Sequence, residues 1–441
     1  MLDQSFSAEN FRKILDLENR KGVHVEDKLS LTNVRSINEK IKQVNIKIRY
    51  SRKIKDKENL KLFYEDKKAL REQRERELNN ELERISQKIA KSDFKIELNR
   101  INIPGKKPIY TTSNIAEYYF AIKQTQRNIS RLYGVKQADR NAIVTQVISL
   151  LSDGFPKYVI RTDVKDFYES ISHSTLLNKI INDNLLAPFS KNILKSVLKS
   201  YEKESGSDKG IPRGIGVSAY LAELYMRDID NEILDLKSVT YYARYVDDII
   251  IIFTPSPDEG SRNYLQEIKT ICESNHNTIL NPAKTVVTDV RTPTNCSLDY
   301  LGYKIIFGAH TVKVKLTHSK TKKYRDRISL AFDDYRNLAK VNEKSARKVL
   351  VKRIRFLTGN TRLSNNKKNI LTGVYYSNKH LNDLSQLDGI DSFLTYHINQ
   401  LTSSRLKTRL QKYSLRDGFE NKRYSPFNTK ELSEIMGVWK V

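Results

Sequence analysis

Residues Ala243 to Phe253 read ARYVDDIIIIF, two adjacent carboxylates set against four isoleucines and a phenylalanine. A β-branched run of this kind is strand material for the middle of a sheet. TYYAR before it reads as a second strand, so Tyr245, Val246, Asp247 and Asp248 fall at or near the turn that joins the two. A tight hairpin would hold Asp247 and Asp248 together at the edge of an apolar sheet. Unpaired charge is costly there, so a cation or a reaction must account for them.

Two other stretches bear on the same problem. In KYVIRTDVKDFYESI (Lys157 to Ile171), Tyr158, Ile160 and Thr162 alternate with Val159, Arg161 and Asp163, and the spacing then turns helical. Asp163 thus ends a strand, a rigid mount for a carboxylate. GIPRGIGVSAYLAELYMRDID (Gly210 to Asp230) is a Gly-Pro-Gly loop leading into a helix, and its glycines let backbone amides approach a substrate closely. With Asp163 brought beside the pair from a neighbouring strand, three carboxylates converge. Oxygen ligands without His or Cys suit Mg²⁺ or Mn²⁺ rather than zinc. Two such ions, roughly 3.5–4 Å apart, clamp the attacking and leaving oxygens of a phosphoryl transfer. Each piece alone has a plainer alternative: a solvated turn, a helix N-terminal charge, an ordinary glycine loop. Order, spacing and strand context favour the joint reading.

Charge points the same way. Lys and Arg number 78 against 52 Asp and Glu, a net +26, in a chain that is 39% apolar and 29% charged. The chain is globular in composition, and the natural partner for its excess is a polyanion, although a lysine-rich genome is the bland alternative. No stretch has the length needed to cross a bilayer, so no membrane partner is expected. Cys272 and Cys296 form neither a metal-binding spacing nor a disulfide framework, and MLDQSFSAENF has no signal-peptide core. A cytoplasmic protein is expected.

Three regions are expected along the chain. Residues 1–100 are basic and helical: Val34, Ile37, Ile41, Val44 and Ile48 share one helix face, and after RKIKDK a second helix over about 58–91 carries Leu78, Leu82, Ile85 and Ile89. REQRERE (Arg71 to Glu77) has no apolar residue, which favours a helical hairpin over a long coiled coil; a solvated charged helix is the alternative. Residues 101–310 are mixed α/β. From about 311 to 441 the pattern is basic and helical again, with apolar stripes beside Lys and Arg in SKTKKYRDRISLAFDDYRNLAK and EKSARKVLVKRIRFL.

The ordered motifs resemble the palm of a reverse transcriptase over roughly residues 100 to 310. TDVKDFYESI resembles the first catalytic motif, which implies Asp163 as a metal ligand with the Val164 carbonyl beside it. IPRGIGVSAYL resembles the second, implying a nucleotide and template pocket at Arg213, Gly214 and Ser218. YVDD is the polymerase signature, with Asp247 as second ligand and Asp248 close by. LNPAKT resembles the fourth motif, whose lysine, here Lys284, can protonate departing pyrophosphate. LDYLGYKI resembles the primer grip, with Leu301, Gly302 and Tyr303 in its turn. The resemblance implies an α+β right-hand polymerase of fingers, palm and thumb, with an antiparallel palm sheet and helical N- and C-terminal regions. It further implies two Mg²⁺ ions, dNTP substrates, a DNA product and an RNA template. Tyr168 falls where the family places an aromatic gate against the ribose 2′-hydroxyl. Lys136 and Arg140, in YGVKQADRNAIV, fall where finger residues hold the triphosphate; a surface role is their alternative.

One motif departs from the pattern. The second motif usually reads Leu-Pro-Gln-Gly with a proline after the serine, and here Arg213 and Ala219 stand in those places. An arginine could grip phosphate bidentately. That variation resembles bacterial reverse transcriptases of the abortive-infection and anti-phage defence groups. RFLTGNTRLSNNKKNILTGVYYSNKHL (Arg355 to Leu381) and the N-terminal MLDQSFSAENFRKI are similar to the small polymerase of type 3 defence-associated reverse transcriptase systems. Those systems pair two reverse transcriptases with a structured non-coding RNA, so a second polymerase, a hetero-oligomer and an RNA template are expected. An untemplated or protein-primed nucleotidyltransferase on the same palm is the enzymatic alternative, and a catalytically silent RNA-binding scaffold the other.

Overall fold

The computed structural model of the chain describes residues 2–21, 24–29, 31–259, 262–290, 296–308, 311–363 and 370–439. They fall into two units that interleave along the chain. Residues 1–137, 165–231 and 276–278 form the first, and residues 138–164, 232–275 and 279–441 the second. No helix among the described residues is long and apolar enough to cross a membrane.

In the first unit the two N-terminal stripes form the expected hairpin, Thr32–Lys53 against Lys57–Ile89, with Asp56 capping the second helix through the Asn59 amide. Val34, Ile37, Val44 and Ile48 are buried on one helix, and Leu78, Leu82, Ile85 and Ile89 on the other. REQRERE is left only partly to solvent, with Arg71, Glu72, Gln73 and Arg76 exposed. Arg74 reaches Glu26 at 2.8 Å and Asn38 at 2.8 Å, and Glu75 accepts from Arg12 at 2.6 Å, so ion pairs bridge the gap where apolar residues fail. The helix Ala8–Arg20 is capped by Ser7 and buries Phe11, Ile14 and Leu15. Phe11 meets Phe120 of the helix Ala116–Leu132 at 5.0 Å between ring centroids. Strands β1 (Leu98–Ile101) and β2 (Ile109–Thr112) pair antiparallel, on either side of the NIPGKKP punctuation.

The second unit holds a four-stranded antiparallel sheet. Its strands are β3 (Tyr158–Asp163), β4 (Val239–Tyr245), β5 (Asp248–Phe253) and β6 (Val286–Asp289), in the order β4-β5-β3-β6. The isoleucine run is therefore an inner strand, and Ile249, Ile250, Ile251, Ile252 and Phe253 are all fully buried. Ile250 and Ile252 join Val159, Ala243 and the helix Arg140–Leu151 in one core, while Phe253 packs against Tyr264 with tilted rings, 4.5 Å between centroids. That core continues through a second antiparallel sheet of β7 (Cys296–Tyr300), β8 (Tyr303–Gly308) and β9 (Thr311–Leu316).

The C-terminal region departs from the helical expectation in two places. TVKVKL forms β9, because Val314 and Leu316 alternate with Lys313 and Lys315 at the period of a strand and are buried against β8. The helix His318–Thr358 follows; it breaks at Asn342 (φ −149°, ψ 93°), between the two basic amphipathic stretches read from the sequence. Arg355 to Leu381 is not all helix either: β10 (Asn360–Leu363) and β11 (Ile370–Gly373) pair antiparallel, and residues 364–369 of that stretch lie outside the described residues. Tyr375 packs on Phe419 beyond the hairpin.

The N-terminal hairpin rests on few apolar layers, so each one counts. Leu82→Ala removes a fully buried side chain and is expected to cost about 2–4 kcal/mol, read as faster amide exchange across Thr32–Lys53 and Lys57–Ile89. Unchanged exchange would show that this layer does not hold the pair together.

Candidate active site

Asp163 ends β3 and Asp248 begins β5, and the two are register partners. Tyr245 pairs with Asp248 across the β4–β5 turn, which leaves Val246 and Asp247 as the loop. Val246 takes φ +64°, the left-handed region that β-branched residues rarely enter. The turn is tied from below. The Arg244 guanidinium donates to the Val246 carbonyl at 2.9 Å, and the Val164 amide donates to the Asp247 carbonyl at 3.1 Å. The 280s loop closes the other side, where the Asn281 amide donates to the Asp163 carbonyl at 2.7 Å.

The expected convergence of three carboxylates takes a different form. Among the described residues no three acidic, His or Cys side chains gather into one metal-binding group. The physical reason is that two of the carboxylates turn to cations. Lys284 Nζ donates to Asp163 Oδ2 at 2.7 Å, and Arg161 Nε donates to Asp248 Oδ1 at 2.9 Å while its Nη1 reaches the Lys284 carbonyl at 3.2 Å. Arg161 was not singled out in the sequence, yet it stands two residues before Asp163 on an alternating strand, hence on the same face.

Burial pushes the Asp248 carboxyl above the usual aspartate range; Arg161 pulls it down, and the charges of Asp163 and Asp247 raise it again. An oxygen-only donor set on strands fixed by register fits a hard divalent cation.

In the first unit the loop 210–218 is stitched to its surroundings by backbone and glycine. The Tyr110 amide donates to the Arg213 carbonyl at 2.7 Å, the Ile211 amide to the Tyr168 carbonyl at 2.7 Å, and the Ser218 hydroxyl to the Pro212 carbonyl at 2.7 Å. Gly214 has φ +100°, and a Cβ there would stand 2.6 Å from the Tyr110 carbonyl oxygen, so no other residue fits. Arg213 makes the bidentate contact its geometry suits, but to a carboxylate: Nε to Glu169 Oε1 at 2.6 Å and Nη2 to Oε2 at 3.0 Å. Its guanidinium also lies over the Tyr168 ring, 4.9 Å from the centroid. Lys107 bridges Glu169, at 2.8 Å, and Asp166. Burial raises the Glu169 carboxyl, but Arg213 and Lys107 outweigh it and hold the group below the usual range. Neither Glu169 nor Lys107 carried a sequence signal, because only tertiary structure brings them to Arg213.

Lys136 is an exposed loop residue. Arg140 lies with Leu301 and Tyr303 rather than free at the surface. Its guanidinium donates to the Leu301 carbonyl and sits 5.0 Å from the Tyr303 ring centroid. Leu301 (φ +45°) and Gly302 (φ +79°) form the tight β7–β8 turn, and Lys320 Nζ is 4.9 Å from the same ring. Tyr303 thus lies under two cations.

Residues 120–305 match the family model described as reverse transcriptase (RNA-dependent DNA polymerase). The matched stretch contains Asp163, Tyr168, Arg213, Asp247, Lys284 and Tyr303. With the antiparallel palm sheet described above, the fold is that of an α+β right-hand polymerase. Over these residues the chain is similar to an RNA-dependent DNA polymerase domain. No curated protein matches the chain. Solved structures similar to it include apo telomerase from Candida tropicalis, at 14% identity and a TM-score of 0.39 over 78% of this chain and 61% of that one. A form of that protein truncated from its C-terminal domain gives 15% and 0.38 over 50% and 55%. Telomerase from Candida albicans in complex with the TWJ fragment of telomeric RNA gives 12% and 0.36 over 80% and 65%. The chain thus spans less than two thirds of each of these structures.

The crowding of cations at Tyr303 has a pH signature. Burial, with Arg140 and Lys323 nearby, lowers the Lys320 ammonium from 10.5 to about 8. The unfolded chain therefore binds this proton more tightly than the folded one, and stability rises as the pH climbs from about 8 toward 10.5. Lys320→Met is expected to melt higher than the parent at pH 7, with the gap closing by pH ~10. A gap that widened with pH would reverse the assignment.

Proposed function

We propose that the chain copies an RNA template into DNA, with Asp163, Asp247 and Asp248 as the carboxylates that hold two Mg²⁺ ions. One observation carries this reading: Asp163 and Asp248 are register partners beside the strained Val246–Asp247 turn, inside the stretch that matches the reverse transcriptase model. The Val164 carbonyl would complete the ligand set, and Mn²⁺ is the alternative ion. When bound, the metal supplies charge neutralisation at the reacting phosphate.

The chain's own residues do the rest. A primer 3′-hydroxyl gives its proton to solvent water, its oxygen bonds to the α-phosphorus of a dNTP, the α–β phosphoanhydride bond breaks, and pyrophosphate leaves. Lys284, held at Asp163, is the acid suited to give the departing pyrophosphate a proton. Leu301, Gly302 and Tyr303, braced by Arg140 and Lys320, would seat the primer end. Tyr168 would bar the ribose 2′-hydroxyl, its ring steadied by Arg213, and Lys136 remains available to the triphosphate.

The arginine of IPRG and the Arg355 to Leu381 stretch support a bacterial anti-phage polymerase working in the cytoplasm. Its template would be a structured non-coding RNA and its partner a second reverse transcriptase.

Asp247→Asn is expected to reduce Mg²⁺-dependent incorporation of labelled dNTP on a primed RNA template to background. EDTA should stop the parent enzyme and added Mg²⁺ restore it. Full incorporation by Asp247→Asn would refute the carboxylate assignment. Tyr168→Ala should lower the dNTP-over-rNTP ratio of kcat/KM by about tenfold or more; an unchanged ratio removes the gate.

A further inference from the structure

Tyr168 lies on the short helix Phe167–Ser170, which opens at Asp166 in the left-handed region (φ +49°). The Glu169 and Ser170 amides close that turn on the Asp166 carbonyl at 2.8 and 2.9 Å, and the Tyr168 carbonyl accepts from the Ile211 amide. Lys107, in the loop between β1 and β2, spans the same turn from outside. Its ammonium donates to the Asp166 carboxylate at one end and to Glu169 Oε2 at 2.8 Å at the other. Glu169 also takes both prongs of Arg213, at 2.6 and 3.0 Å, and the Arg213 guanidinium in turn covers the Tyr168 ring. Buried Phe167 meets that ring edge-on, with 5.6 Å between centroids and 85° between planes.

A steric gate works only if it stays where the clash must occur, within about 0.5 Å. Tyr168 is half-buried, and a tyrosine has more than one staggered χ1 well. A cation over its face favours one of them, because the ring quadrupole attracts a guanidinium. An arginine side chain is itself rich in rotamers, so it steadies the ring only while its own head is held. Glu169 holds that head in the fork geometry of a bidentate pair, and Lys107 fixes Glu169. The Glu169 and Arg213 side chains are 33% and 32% exposed, so water screens the contacts and they add little to stability. What they set is orientation. The fork that would grip a phosphate is occupied by a carboxylate.

We infer that Glu169 and Lys107 are positioning residues for sugar selection, acting through Arg213 on the Tyr168 ring. Neither needs to touch the nucleotide. Together they hold the ring where it meets a ribose 2′-hydroxyl, so that an rNTP is rejected by shape and a dNTP is not. The inference rests on the polymerase reading above, to which the Tyr168 gate belongs, and extends it to two residues outside that gate.

The test is a double-mutant cycle on the full chain, reading kcat/KM for a dNTP and the matching rNTP on a primed RNA template. Glu169→Gln keeps the side-chain shape but removes the charge and one acceptor. It is expected to lower the dNTP-over-rNTP ratio about threefold, the scale of a partly exposed ion pair, chiefly by raising kcat/KM for the rNTP. Lys107→Met should move the ratio the same way and by less. In the Tyr168→Ala background neither substitution should change the ratio further, because the ring through which they act is gone. An unchanged ratio in Glu169→Gln, or an equal fall with and without Tyr168, overturns the assignment. Arg213→Lys keeps the charge and loses the fork, so the ratio should fall. A KM raised equally for both nucleotides, with the ratio kept, makes Arg213 a phosphate grip and overturns the brace. Glu169→Gln and Lys107→Met should unfold at the parent's temperature, and a ratio that fell only together with that temperature would overturn the positioning role. A second measurement needs no turnover: 3-fluorotyrosine in place of Tyr168 should give one narrow ¹⁹F line in the parent and a broadened or split line in Glu169→Gln. A parent that incorporates nothing yet shows that response refutes the polymerase reading while the brace stands. An active parent whose line does not respond refutes the brace alone.

Discussion

Like charge on neighbouring strands of a buried sheet has to be answered within a few ångströms, because the surrounding medium screens it poorly. Asp163 and Asp248 face each other across the β3–β5 ladder, and Asp247 follows the strained Val246. Much of the second unit's local architecture answers that charge. Arg161 rises from β3 itself, and Lys284 comes from the loop whose Asn281 amide fixes the Asp163 backbone. Keeping a valine at φ +64° costs on the order of 1–3 kcal/mol, and the buried isoleucines on either side of the sheet stabilise the hairpin that carries it.

The strands were legible where a strong period met a strong composition. IIIIF with TYYAR, and YVIRTD with its alternation, marked β3, β4 and β5, since β-branched runs and period-two alternation suit strands. The N-terminal hairpin was legible from Val34 to Ile48 and from Leu78 to Ile89, but its docking was not. That depends on Arg74 meeting Glu26 and Asn38, contacts that no local pattern encodes. TVKVKL was misjudged because its lysines drew it into the basic helical region, although its period is that of a strand. The site was legible at its carboxylates through motif order. It was illegible at Arg161, Glu169 and Lys107, whose roles arise from partners far along the chain.

Arg213 illustrates how a substitution changes meaning in its setting. A guanidinium in place of the usual glutamine suggests a grip on phosphate, yet its fork is filled by Glu169 and its face by Tyr168. Glu169 is in turn held by Lys107. The loop thereby gains a cross-link in place of a free cation. The tight approach of Gly214 to Tyr110 leaves little room for the loop to shift around it.

The strand order β4-β5-β3-β6 also constrains how the protein comes to be folded. The β4–β5 hairpin closes over a two-residue turn, but Arg161 of β3 and Asp248 of β5 are 87 positions apart in the chain. At a synthesis rate of about 5–20 residues per second, β3 waits several seconds with both edges unpaired before its first partner exists. Its Arg161, Thr162 and Asp163 are poor material for edge-to-edge pairing between nascent chains. The residues that later carry charge in the site thus also guard a slow, non-local step of folding.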